Sequence, residues 1–153
     1  MKLRGIWVSV GTSVVLMGCL QGTAMAKMVI WSPMTGRVTL NGQPAAGAVL
    51  MRNFDWEWKD ETGSDQTVAN SAGEFSLPVI ERSSLLGSLL PHQPVIKQVM
   101  VIEYKGVKYQ AWGFHKMNYK INGENEGRPI NVTCRLEAER ALHGQVSGIC
   151  EFN

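Results

Sequence analysis

The chain has 153 residues, of which 44% are hydrophobic, enough for one domain with a substantial core. Its 15 Lys and Arg stand against 13 Asp and Glu, a net charge of +2. No basic stripe gathers along it, so the footprint of a nucleic-acid binder is excluded.

Lys2 and Arg4 precede a mostly apolar run from Ile6 to Leu20, and Ala24-Met25-Ala26 supplies a small-x-small cleavage site. Residues 1–26 therefore read as a secretory signal peptide, and residues 27–153 as the mature domain. Leu16-Met17-Gly18-Cys19 supports a competing reading, a bacterial lipoprotein box with an acylated Cys19. That lipid would be the one attachment to a membrane. Both readings place the folded part outside the cytoplasm, in the periplasm. Losing Lys2 and Arg4 leaves the mature chain close to neutral. Cys134 and Cys150 remain in an oxidising compartment and are expected to form a disulfide.

In chain order, Lys27–Trp31 reads as a short strand. Val38 and Leu40 alternate with Arg37 and Thr39 up to Asn41-Gly42, a dipeptide suited to the positive φ of a tight hairpin turn. The extended pattern resumes by Ala48–Asn53, giving an expected hairpin of residues 36–41 with 46–53. Phe54–Ser64 packs aromatics among acids. On a strand, Phe54, Trp56 and Trp58 share one face, and Asp55 and Glu57 the other. Burial of the aromatic face is one reading; exposure of the tryptophans on an acidic loop as a binding anchor is the other. Residues 66–69 and 74–77 form a second expected hairpin, turning at Gly73. Leu85-Leu86 and Leu89-Leu90 are spaced by four, which predicts a short helix before Pro91. Residues 95–104 and 107–114 form a hairpin across Lys105-Gly106. Its Val99–Ile102 run is apolar on both faces, as in a central strand. Strict alternation sets Tyr109 and Trp112 on opposite faces of the second strand. Residues 114–128 read as a polar loop, and Ile130, Val132, Cys134 and Leu136 mark a half-exposed strand.

The run Gly36, Val38, Gly42, Pro44, Gly47, Ala48, followed by Thr67, Gly73 and Phe75, resembles the carboxypeptidase-regulatory-like and transthyretin-like family. The resemblance implies an all-β, transthyretin-like (prealbumin-like) β-sandwich, here with a short helical insertion. That family includes 5-hydroxyisourate hydrolases that end in Tyr-Arg-Gly-Ser. This chain ends Ile149-Cys150-Glu151-Phe152-Asn153, so that activity does not carry over.

Chemistry has little foothold. His92, His115 and His143 fall in separate segments without metal-ligand spacing, and Ser83, Ser84 and Ser88 lack a nucleophile elbow. The acids Asp55, Glu57, Asp60, Glu61 and Asp65 miss the spacing of a calcium loop. The reading is a protein without catalytic residues, metal or cofactor.

Trp31–Gly42, the aromatic-acidic stretch Asp55–Glu61, Pro94-Val95-Ile96 with Gln98, and Gly148-Ile149-Cys150 together resemble an uncharacterised family of short bacterial envelope proteins. These look like the periplasmic immunity partners of type VI secretion effectors. The resemblance implies a non-enzymatic protein that binds and neutralises a secreted toxin, a hydrolase. Its expected contacts are Asp55, Trp56, Glu57 and Trp58, then His115, Lys116 and Tyr119. Two other classes stay open: an envelope assembly module using strand edges, and a carbohydrate-binding module using Tyr109 and Trp112.

Overall fold

The computed structural model describes residues 25–84 and 91–153. The apolar leader with Cys19, and the helix expected over Leu85–Leu90, lie outside the described residues. Thirteen strands account for most of the rest: β1 (Ala26–Trp31), β2 (Met34–Leu40), β3 (Gln43–Pro44), β4 (Val49–Trp56), β5 (Glu61–Val68), β6 (Glu74–Leu77), β7 (Ile80–Ser84), β8 (Ile96–Tyr104), β9 (Val107–Lys116), β10 (Ile130–Arg135), β11 (Ala141–His143), β12 (Val146–Gly148) and β13 (Cys150–Phe152). The described chain is all-β and sandwich-like. A large sheet in the order β11-β12-β9-β8-β4-β5 and a second sheet of β13-β10-β2-β3, with β6 also on β2, share one core. β1 and β7 form a separate antiparallel pair.

Alternation explains the core. Leu50, Phe54 and Trp56 on β4, and Ile96, Met100 and Ile102 on β8, recur every second or fourth residue and are buried. Met34 and Val38 of β2 and Ile130, Val132 and Cys134 of β10 join the same cluster from the second sheet. Trp31, Trp56 and Trp112 are its largest members, each at most 1% exposed. Cys134 and Cys150 face each other across β10 and β13 and form the expected disulfide inside this core. Among the described residues no helix is long and apolar enough to cross a membrane.

Two strand partnerships differ from the sequence reading. Asn41 and Gly42 do take positive φ, 49° and 77°, but the turn returns the chain only as far as the two-residue β3. Gly47, at φ 79°, then redirects it, and β4 enters the large sheet beside β8 and β5 rather than pairing with β2. β5 and β6 likewise belong to different sheets, so the Asn70–Gly73 turn is a corner between sheets. Gly73 is required there: its φ is 75°, and a Cβ would come within 2.4 Å of the Val38 carbonyl oxygen. Local alternation and turn chemistry carry no signal for which sheet a strand joins.

The aromatic-acidic stretch is not one strand. β4 ends at Trp56, Glu57–Lys59 form a single 3-10 turn, and Asp60 closes it in the left-handed region at φ 50°. The Lys105-Gly106 hairpin is present, with φ 51° and 77°. β9 continues through His115 and Lys116, which the sequence reading had placed in a loop. A bulge opposite Met100 and Val101 shifts its register: Met100 faces Trp112, while Val101 faces Gln110. Ala111 is the extra residue, and it reverses the phase of alternation. Tyr109 and Trp112 therefore face inward together, opposite the buried Ile102 and Met100. Gly148 fits over the bulge only without a side chain, since a Cβ would lie 2.0 Å from the Ala111 carbonyl oxygen.

Candidate functional site

The residues expected to contact a partner separate into three groups. The first lies on the outer face of the large sheet. Asp55 on β4 is in register with Lys97 on β8, and Lys97 with His115 on β9. All three are exposed and form a cross-strand row of alternating charge and imidazole. Thr62 of β5 extends the row at its other end. Beside it lies an open depression of about 530 Å3, lined by Asn53, Asp55, Thr62, Ser64, Lys97 and Val99. Its next row runs Ser64, Asn53, Val99, Gly113, Ser147, so small side chains keep the floor low.

The second group sits at the β4–β5 turn. Trp56 is buried, and its indole N–H donates to the Tyr119 hydroxyl at 3.0 Å. The Tyr119 hydroxyl also hydrogen-bonds His92 Nε2 at 2.8 Å. Burial raises the Tyr119 phenol above its ordinary value, against a lowering from the Trp56 hydrogen bond. Trp58 is only partly buried and stacks on the His92 ring at 4.0 Å with an 11° interplanar angle. The Lys59 ammonium lies 4.2 Å from the Trp58 ring centre. Glu57 is exposed on the same turn. Trp56 is thus a core residue rather than a docking anchor, because β4 directs it inward with Leu50 and Phe54; Trp58 and Tyr119 are the accessible aromatics here.

The third group is interior. Lys116 continues the inward phase of Trp112 and Phe114, and its side chain is 0% exposed. It donates to Glu124 Oε2 at 2.6 Å and to the Lys120 carbonyl at 2.7 Å. Glu124, equally buried, also accepts from the Ser32 hydroxyl at 2.6 Å, the Ser32 N–H at 3.0 Å and Gln98 Nε2 at 2.9 Å. Burial pushes the Lys116 ammonium below its ordinary value, partly offset by Glu124. Burial alone would raise the Glu124 carboxyl, but the Lys116 charge and the hydrogen bonds from Lys116, Ser32 and Gln98 outweigh it and hold it low. Nearby, buried Arg52 binds both Asp65 oxygens and the Ser32 and Pro78 carbonyls. Lys116 therefore pins the segment after β9 to the interior and is out of reach of a partner.

Lys97, Asn53, Thr62 and Ser64 were not singled out from sequence, since exposed polar residues on alternating strands carry no mark of proximity. Arg52, Gln98 and Lys116 did carry one: each is a polar residue in the inward phase of an otherwise apolar strand. The acids also divide. Asp65 and Glu61 are engaged by Arg52 and Arg82, whereas Asp55 faces outward. Among the described residues, no group of three or more His, Cys, Asp or Glu is placed to hold a metal ion.

A model of a domain of unknown function, DUF6795, matches residues 34–139, which include the depression, the Asp55–Lys97–His115 row and the Lys116–Glu124 pair. No curated protein matches the chain, and no solved structure does.

Proposed function

The chain belongs to the DUF6795 family, and we propose that it is a non-enzymatic periplasmic binding protein that neutralises a cognate secreted toxin, a type VI effector hydrolase. The single observation that carries a binding role is the open outer face of the large sheet. There a charged row, Asp55, Lys97 and His115, borders the 530 Å3 depression. Such a face offers charged and polar groups around a shallow floor, the polar part of the anatomy of a protein–protein contact. Trp58, partly exposed on the 3-10 turn that follows β4, is a second, separate candidate anchor. The buried Cys134–Cys150 disulfide suits an exported domain. The finer fold assignment, a transthyretin-like sandwich, belongs to the same reading and rests on the Gly36–Ala48 and Thr67–Phe75 motifs. The toxin-neutralising role rests on the resemblance of the chain to short envelope proteins, to which the open face adds a place to bind.

The carbohydrate reading loses its platform, because Trp112 is 0% exposed. The assembly reading keeps one supporting observation, the long edge strand β5.

The test is a binding titration of the full chain against its hydrolase. Asp55→Lys, His115→Glu and Trp58→Ala should each preserve the fold, and the strongest should weaken binding by about thirtyfold, the effect of one interface hot spot. If all three bind as wild type does, the outer face is not the interface.

A further inference from the structure

β5 forms one edge of the large sheet: it pairs with β4 along its length, from Trp56↔Glu61 to Val49↔Val68. Among the described residues, no strand pairs with its other side. The other edges among the described residues are shorter: β11 and β13 have three residues each, β6 four, β3 two including Pro44, and β1 and β7, which pair with each other, six and five. β5 has eight residues, contains no Pro or Lys, and shows no register shift against β4. A strand of this kind is a template for another strand.

We infer that two copies of this chain pair antiparallel through β5, about a twofold axis at Ser64, joining their large sheets into one continuous sheet. Charge selects the occupant. The outward side chains Thr62, Ser64, Gln66 and Val68 are neutral, so the edge carries no handle for a strongly acidic or basic strand. The inward acids, Glu61 and Asp65, are already bound by Arg82 and Arg52 of the same chain. They do not bar pairing, as unpaired inward charges would, but they choose its register.

With both sheets facing the same way, a residue can oppose only one of the same outward or inward phase. An axis at Asp65 would set the two Asp65 carboxylates directly opposite, a like-charge pair. An axis at Gln66 would set Asn70 opposite Thr62, but the Asn70 N–H is committed to the Glu74 carbonyl and its own carbonyl to the Gly73 N–H. An axis at Ser64 avoids both. It places Ser64 opposite Ser64, Thr62 opposite Gln66, Gly63 opposite Asp65 and Glu61 opposite Thr67, within the strand and without like charges. The pairing uses the backbone edge of β5 and not the sheet face, although Thr62 and Ser64 also line the depression, so the dimer seam borders the proposed binding face.

The test uses the full chain with its disulfide intact. Sedimentation velocity across a concentration series should show a monomer–dimer equilibrium. Ser64→Cys should cross-link to itself under mild oxidation, since directly opposed residues have Cβ atoms about 5 Å apart. Ser64→Lys should weaken dimerisation by about fivefold, and mixing it with Ser64→Glu should restore association, with unchanged near-UV circular dichroism showing that the fold is kept. A wild-type chain that stays monomeric throughout the series would overturn the inference. So would a dimer in which Ser64→Cys does not cross-link or Ser64→Lys associates normally.

Discussion

Glu124→Gln is the sharpest perturbation of the interior. Each carboxylate oxygen of Glu124 accepts two bonds: Oε1 from the Ser32 N–H and Gln98, and Oε2 from the Ser32 hydroxyl and Lys116. A carboxamide keeps the shape and one acceptor but turns an NH2 toward donors, leaving Lys116 as a buried cation without its counter-charge. Breaking a buried pair in this way costs about 3–5 kcal/mol, a large part of the roughly 5–15 kcal/mol that holds a domain folded. Adding Lys116→Met removes the stranded charge and lets the new amide donate to the Ser32 hydroxyl, so the double variant should recover about 2 kcal/mol of that loss. Urea unfolding of the two variants and wild type measures both quantities. A single-variant cost below about 1 kcal/mol, or no recovery in the double, would refute the claim that this pair is a desolvated, mutually dependent unit.

The same carboxyl sets an acid limit. Its value is lower in the folded chain than unfolded. The stability it contributes is therefore present above about pH 4.3, the ordinary glutamate value, and is lost as pH falls through the folded value; acid unfolding of Glu124→Gln should show a shallower dependence in that range. Replacing Cys134 and Cys150 together by Ser should cost about 3 kcal/mol in urea unfolding, given their separation of 16 residues. Trp56→Ala should cost about 3–5 kcal/mol as a core deletion, whereas Trp58→Ala, partly exposed, should cost much less in the same thermal or urea assay.

Much of the fold could be read from local pattern. The β8–β9 hairpin, the phases of β4, β8 and β10, and the disulfide follow from alternation, the Lys105-Gly106 turn and the cysteine count. What escaped was non-local. The partners of β4 and β6 depend on Gly47 and the Gly73 corner sending the chain between sheets, and two-residue periodicity says nothing of that. The extra residue Ala111 inverted the phase of β9, so that Tyr109 and Trp112 came to share a face. For the site, Asp55 and His115 were identified separately, but Lys97, which joins them, became visible only through the β4–β8–β9 register. Trp56 and Lys116 misled for opposite reasons. An aromatic among acids looked like an anchor, and Lys116, expected in a polar loop, looked like a partner contact, whereas β9 continues through it and sets it in phase with Trp112 and Phe114. Its counter-ion, Glu124, lies in a segment with no periodicity to place it.

The central claim is tested most directly by capturing partners of the full chain, tagged at its C-terminus, from cells of the source organism and identifying them by mass spectrometry, with the hydrolase activity of any captured protein assayed alongside. The account predicts a secreted hydrolase whose activity falls to the background at equimolar chain and returns when Asp55→Lys replaces wild type. Recovery of envelope structural proteins alone, or a captured hydrolase that stays fully active in the presence of the chain, would contradict it.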